Sequence, residues 1–497
     1  MSQPLQNQFQ LITGANQHYI DNYNRWLFYL ESYMGGDDYR NGSHLTRYQL
    51  ETDAEYNARL RTTPLDNHCR SVVNVFNSFL FREKPERELG MLEMEPNIGD
   101  FLDDADLEGR SFDSIMKDVA TWSSVFGHVW LLMSKPNINA LTMADEMASG
   151  VRPYISLLTP LTVYDWRYER QPNGYYEITY FKYVEDSNDQ QLVTIVEWTK
   201  ETITTSKVSR QNKQTAEVFT EPNQLGKIPV VIAYNARSSI RGIGVSDLTD
   251  IADQQKAIYN ELSEIEQAIR LDSHPTLVTP ENVKIGTGAG AILYIPETMD
   301  PGLRPYILQN SGADVGAIYQ SIKERVSSID KMSNTGAVRA TEARTMSGVA
   351  METEFQLLNA RLSEKADNLE LAEEQLWKLY AQYQGYEYDG EIDYPGSFNI
   401  RDTQSEIEQL VKVKSAATDP RVLALLDHEL IEYLGEDGDI LLPEQVTLAT
   451  GETVPYDSAE PFEEPEEMFN PATGETGWVI DFASKREAML NGWVEKE

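Results

Sequence analysis

Gly242-Ile243-Gly244-Val245-Ser246-Asp247-Leu248 marks the point at which the chain changes character. Before it lie short β-rich runs broken by turn formers, and after it come long helical patterns. From Ser246 to Leu271, the residues Leu248, Ile251, Ile258, Leu262, Ile265 and Ile269 recur on one helical stripe, with Gln255 in the one heptad slot that is not apolar. A helix of that span is about 39 Å long at a rise of roughly 1.5 Å per residue. It stops at His274-Pro275, since proline cannot continue a helix. Val315, Ile318, Ile322, Val326 and Ile329 predict a second helix over 314–332. Phe355, Leu358, Leu362, Leu369, Leu376 and Leu379 predict a third, from Val349 to about Tyr383. Between the first two helices lies a compact β-and-turn insert, 275–309, and between the last two a stretch of small and polar residues, Ser333 to Ser347.

Upstream, apolar spacing predicts helices over His18–Tyr33, Asp53–Leu60, Leu65–Leu80 and Phe101–Trp122. The run Val125–Met133 then opens a β-rich region with strands expected at 153–158, 162–169, 175–183, 192–199, 216–220 and 228–234. Their spacing predicts an antiparallel meander or a small barrel. Downstream, Ile407–Leu434 reads as mostly helical. Gly451–Asn470 holds seven acidic and no basic residues among several prolines, and reads as extended and poorly ordered. Runs of helix and runs of strand that do not alternate place the chain in the α+β class.

The 497 residues are 41% hydrophobic and 10% aromatic, enough to bury cores in two to four packed units. Cys69 is the single cysteine, so no intramolecular disulfide forms, and no run of about 18 apolar residues exists to span a bilayer. The first residues lack the basic and apolar regions of a signal peptide, and a cytosolic setting is expected. Eighty acidic against 42 basic residues give a formal charge of −38, so the surface as a whole does not attract nucleic acid.

The phosphate-binding pattern G-x-x-x-x-G-K-[ST] is absent, which argues against a nucleotide-driven motor. Gly286, Gly288 and Gly290 do not make a dinucleotide fingerprint and read as a turn. Gly244-Val245-Ser246-Asp247-Leu248 is the nearest approach to a nucleophile elbow, but Ser246 reads better as a helix N-cap. His68 beside Cys69 has no further ligands at metal-binding spacing. No catalytic residues, metal site or cofactor are expected.

The chain resembles phage portal proteins from about Asn67 to Tyr383. The residues that carry the resemblance are Asn67-His68-Cys69-Arg70, Phe81-Arg82-Glu83-Lys84-Pro85, Leu158-Thr159-Pro160 with Val163-Tyr164-Asp165-Trp166, Gly226-Lys227-Ile228-Pro229-Val230-Val231, the Gly242–Leu248 element, and Arg339-Ala340-Thr341-Glu342-Ala343. The resemblance implies a non-enzymatic ring, usually of twelve copies, at one capsid vertex, assembled in a host bacterial cytoplasm. The implied fold is a mixed helical and β-rich wing, a two-helix stem, a small α/β clip, a long-helix support and a helical crown. On this chain those parts map to 1–237 (wing), 238–272 (first stem helix), 273–312 (clip), 313–332 (second stem helix), 333–348 (tunnel loop), 349–400 (long helix), 401–450 (crown) and 451–497 (acidic tail).

Implied roles follow the same map. The stem stripe, Leu248, Ile251, Ile258, Leu262, Ile265 and Ile269, would pack subunit against subunit. Asp250, Asp253, Glu261 and Glu264 would line a channel whose acidity keeps phosphates from sticking. Arg339, Thr341, Glu342 and Arg344 would form the tunnel loop facing DNA, and Leu303, Tyr306 and Ile307 would dock partners on the clip. The implied partners are further copies of the chain, terminase large subunit, a tail adaptor or head-completion protein, major capsid or scaffolding protein, and double-stranded DNA passing without sequence readout. No membrane is implied. Two other readings compete: another head–tail connector or minor capsid protein, and a metal-dependent nuclease using some of the many carboxylates.

Overall fold

The computed structural model describes residues 14–136, 150–185, 191–211, 214–273, 276–278, 300, 302, 306–308, 313–339, 348–396 and 398, then 411–414, 445–447, 453–455, 461–469, 476–481 and 494–495. The chain divides into two units, Met1–Ile400 and Arg401–Glu497. The first mixes helix and sheet in the α+β manner expected.

Helix α1 (Gln17–Met34) starts where the Asn16 side chain accepts the His18 amide, and it ends at Gly35, whose φ of 65° suits glycine. It buries Tyr19, Tyr23, Trp26 and Tyr29. Helices α2 (Gly36–Asn41) and α3 (Asp53–Thr62) follow, the latter started by a reciprocal capping box between Thr52 and Glu55. Helix α4 (His68–Leu80) is capped by Asn67 and buries Cys69, Val72, Val73, Phe76 and Leu80. After strand β1 (Glu86–Glu88) the structure departs from the single helix expected over Phe101–Trp122. Two helices occur instead, α5 (Ile98–Asp103) and α6 (Phe112–Phe126). In the loop between them Asp104 accepts the Gly109 amide, and Asp106 accepts those of Glu108 and Arg110. Such carboxylate–amide bonds compete with helix, and the apolar spacing that continues across the break conceals them.

Two antiparallel sheets follow, built from β2 (His128–Ser134), β3 (Tyr154–Leu158), β4 (Val163–Arg170), β5 (Tyr176–Glu185), β6 (Leu192–Thr199), β7 (Thr202–Ser209), β8 (Thr215–Pro222) and β9 (Val230–Tyr234). One has the order β3-β2-β9, and the other is the expected meander, β4-β5-β6-β7-β8. Strand β7 was not among the expected strands, because Thr202–Ser209 holds only Ile203 and Val208 as apolar residues.

Helix α7 (Ile251–Ser273) begins five residues later than Ser246, the start its stripe predicts. Strands β10 (Thr276–Val278) and β11 (Tyr306–Leu308) pair antiparallel and return the chain to α8 (Ala313–Ser333). A short α9 (Gly336–Arg339) precedes α10 (Gly348–Gln384), whose 37 residues span about 55 Å. Leu358, Leu362, Leu369, Leu376, Trp377 and Tyr380 give α10 a buried stripe that packs on β9, β2 and α4 and forms the spine of the core. Strand β12 (Glu391–Asp393) closes a ribbon with β1.

In the second unit β13 (Gln445–Thr447) pairs with β14 (Thr453–Pro455), and β15 (Pro461–Phe469) lies between β16 (Thr476–Asp481) and β17 (Val494–Glu495). Within the acidic segment the described residues 453–455 and 461–469 are extended, as expected, and 461–469 form the middle strand of a sheet. A register shift between Pro461 and Glu466 accommodates prolines that cannot donate to a ladder. Most of Ile407–Leu434 lies outside the described residues; 411–414 are helical.

Candidate functional site

The sequence elements that stood out separately converge at the root of the α7–α8 pair. Helix α6 ends at Gly127, φ 92°, where the backbone runs directly against Gly244. A β-carbon on Gly127 would stand 2.7 Å from the Gly244 carbonyl carbon, and one on Gly244 would collide with the Gly127 oxygen. Only glycine at both positions permits this approach. Ser246 then donates its hydroxyl to the Val125 carbonyl at 2.6 Å and accepts the Leu248 amide at 2.9 Å. Its capping role therefore serves the turn at 247–250, ahead of α7, and not the helix itself.

Asp247 enters the core beside it. Lys365 of α10 donates to the Asp247 carboxylate at 2.6 Å, Arg361 donates at 2.6 Å, and the Asn235 amide donates at 2.9 Å. Lys365 also donates to Ser124 and Asn235. Burial alone would raise the Asp247 carboxyl, but Lys365, Arg361 and these hydrogen bonds outweigh it and hold the group below its ordinary range. A charged pair, closed on every side, thus ties the start of α7 to the spine.

The Asn67–Arg70 element receives α7 and the short α9. Gln255, fully buried, accepts the Cys69 amide at 2.9 Å and donates to the Ser32 carbonyl at 3.0 Å, which explains its place in an apolar stripe. Arg339 of α9 donates to Asp330 at 2.7 Å and Ser71 at 3.1 Å, and stands 2.9 Å from His68 Nδ1. Burial, followed by the Arg339 charge, pushes the His68 pKa down, so the imidazole faces the guanidinium unprotonated. A third anchor is Arg59 of α3, which makes two bonds of 2.8 Å to Glu51 and one of 3.0 Å to Ser263 of α7.

These positions correct two expectations. Arg339, expected in the tunnel loop, has its guanidinium turned into the chain, where Asp330 and Ser71 receive it. Thr341, Glu342 and Arg344 lie outside the described residues. In the stem stripe, Leu248, Ile251 and Ile258 are buried within the single chain, where α7 packs on α1 and α4, so they do not form a free surface between copies. Leu262 and Ile265 are half-buried, and Ile269 is 46% exposed.

The expected channel carboxylates also divide. Asp250 and Asp253 are exposed. Glu261 instead pairs with Arg325 of α8 at 2.8 Å and accepts the Ser321 hydroxyl. Glu264 is exposed but accepts the Tyr48 hydroxyl at 2.6 Å. Tyr306 and Ile307 lie in β11 opposite Val278 and Leu277, while Leu303 is outside the described residues.

Lys365, Arg59 and the buried Glu373, which pairs with Arg87 and accepts the Tyr394 hydroxyl, escaped the sequence reading, and Asp247 was marked only as part of the Gly242–Leu248 element. A signal existed for two of them: Lys365 and Glu373 interrupt the apolar stripe of α10, and a charge on a buried face requires a buried partner. Chemically the root is an anchor. Its charges are paired, and burial pushes the Cys69 thiol well above its ordinary range, which keeps it unreactive. Among the described residues no group of three or more His, Cys, Asp or Glu could hold a metal ion, and no helix is long and apolar enough to cross a membrane.

Residues 15–409 match the family model described as "Phage portal protein, SPP1 Gp6-like", and the chain belongs to that family. The family is structural, and its members connect head to tail. No curated protein matches the chain. Among solved structures it is similar to a chain in the neck of an empty gene transfer agent particle, at 10% identity and TM-score 0.44, covering 79% of this chain and 99% of that one. A chain of the native gene transfer agent virion is similar at 10% identity and TM-score 0.43, covering 78% and 97%. At these scores the likenesses add nothing to the family match.

Proposed function

We propose, on the premise of that family membership, that the chain assembles into a closed ring of twelve copies at one capsid vertex and forms the channel through which double-stranded DNA enters and leaves. The family match across 15–409 carries this reading, because it spans the root and both helices that leave it. The paired helices α7 and α8 serve as the stem. Exposed Asp250, in the turn ahead of α7, and Asp253 on α7 would face the lumen, where like charge keeps duplex phosphates from binding tightly enough to stall.

In this reading 1–237 is the wing, 273–312 the clip, 333–348 the tunnel loop, 349–400 the support helix, 401–450 the crown and 451–497 an acidic tail. The clip receives the terminase large subunit during packaging and the tail adaptor afterwards, with Leu303, Tyr306 and Ile307 as candidate anchors. The wing's outer surface meets capsid or scaffolding protein. Arg344, with Thr341 and Glu342, is the candidate DNA contact, and Arg339 is the anchor from which that loop springs. Assembly takes place in the host bacterial cytoplasm, and the ring ends in the virion.

Light scattering and negative-stain class averages of the purified chain test the proposal. A closed ring with a central hole is the expected result; a monomer at all concentrations, or an open filament, would overturn it.

A further inference from the structure

The cations of the root are paired within the chain, whereas the β-rich part of the first unit leaves two features open at opposite ends of one sheet. The first is a groove of about 790 Å³ between β4, β5, β9, the 237–241 segment and α10. Ile178, Val230, Ile232 and Leu379 give it an apolar lining. On its rim the Arg241 guanidinium lies 3.5 Å from the centre of the Tyr176 ring and 5.7 Å from that of Tyr168, and Arg237 lies 5.4 Å from that of Tyr234. Both arginines are exposed, and neither pairs with a carboxylate among the described residues. The carboxylate of the groove, Glu177, is taken by Lys200 at 2.6 Å. Lys227 also lines the groove, and burial pushes its pKa down. A surplus of positive charge over an apolar floor therefore sits on a chain of net charge −38.

The second feature is β8. It ends the five-stranded order, and no strand among the described residues pairs with its outer edge. Val218 and Phe219 are each 62% exposed. Alternation along a strand puts Glu217, Phe219 and Glu221 on one face, a phenyl ring between two carboxylates. Glu217 is held by Lys207 at 2.8 Å, whereas Glu221 has no cationic partner among the described residues. A long edge bearing an exposed aromatic side chain is ordinarily blocked or covered.

We propose that the β8 edge of one copy docks into the arginine–tyrosine groove of the next, with Phe219 on the apolar floor and Glu221 against Arg241 and Arg237. The same chain cannot fill its own groove in this way: β8 stands three strand spacings from β5, about 14 Å along the sheet at ~4.8 Å each. A strand edge on one side and its complement on the other make a head-to-tail contact, the kind that closes into a ring when its rotation permits. The inference rests on the ring reading above and assigns that ring its contact.

Three variants test it: Arg241→Glu, Glu221→Arg and the two combined, each compared with wild type by light scattering across a concentration series and by thermal unfolding. Both altered side chains are outside the core, so unfolding should be unchanged. Each single variant should raise the concentration needed for half-assembly by about tenfold or more, with wild-type assembly weakening as salt rises. The combined variant, with the charges exchanged, should recover most of the loss. If wild type forms rings and both single variants form them equally well, the groove assignment is overturned while the ring reading stands. Wild-type chain that stays monomeric overturns both. Anisotropy with a short fluorescent duplex provides the last arm: loss of duplex binding in Arg241→Glu with assembly intact would reassign the groove to nucleic acid.

Discussion

The root of the α7–α8 pair and the rim of the five-stranded sheet handle charge in opposite ways. At the root, Lys365, Arg361, Arg339 and Arg59 each find their carboxylate inside the same chain. At the rim, Arg237, Arg241 and Glu221 are exposed or half-buried and lack a partner of opposite charge among the described residues. A buried pair that loses one member leaves an uncompensated charge, so the root behaves as a closed mechanical joint. An exposed charge costs little in isolation and becomes useful when a complementary surface arrives. Alterations at the root should therefore damage the single chain, and alterations at the rim should damage only its association.

The largest effect is expected from Lys365→Met, which leaves the buried Asp247 carboxylate with Arg361 as its one cationic partner; denaturant unfolding should show a loss of about 3 kcal/mol. A loss below about 1 kcal/mol would mean that the joint is not closed as described. Ile258→Asp comes next. Ile258 is 1% exposed within one chain, so the variant should lose about 3 kcal/mol or more as a monomer, before any assembly. Normal monomer stability with failed assembly would instead return Ile258 to an interface between copies.

His128 gives a smaller, pH-dependent effect. It is fully buried, accepts the Gly244 amide at 3.3 Å, and burial pushes its pKa down to about 3. The unfolded chain takes up that proton near pH 6.5, so it binds more protons than the native chain in this window. The stability contributed by neutral His128 is complete above about pH 6.5 and falls as the pH drops toward 3, by about 3 kcal/mol at pH 4.5. In His128→Gln this component should vanish, leaving a shallower fall due to the carboxylates; parallel curves would show that His128 is not held neutral. Smallest of all is Phe219→Ser, which should leave monomer unfolding within about 0.5 kcal/mol of wild type. A larger loss would place Phe219 in the core and remove the contrast between root and rim.

Much of the frame was legible because long stripes admit one reading. The helices beginning at Gln17, Ala313 and Gly348 lie within a few residues of their predicted bounds, since each buries a continuous apolar face. Strand β7 was not, because threonine and serine satisfy a half-exposed strand without the alternation that identifies one. The division between α5 and α6 was hidden for a related reason: Asp104 and Asp106 act through backbone amides, which leave no periodic trace. At the site, Gly242–Leu248 signalled importance but not its cause, since the partners Gly127 and Lys365 are more than a hundred residues away. The partners of Arg339 were not legible, because an arginine among small residues reads as exposed until Asp330 and Ser71 are seen to receive it.

An electron cryo-microscopy map of the assembled full chain tests the account most directly. It should show a closed ring with a central channel, Asp247 and Lys365 paired within each subunit, and the β8 edge of every copy seated in its neighbour's groove. A map in which Asp247 of one subunit pairs with Lys365 of another, or in which the grooves stand empty at the ring's outer surface, would contradict it.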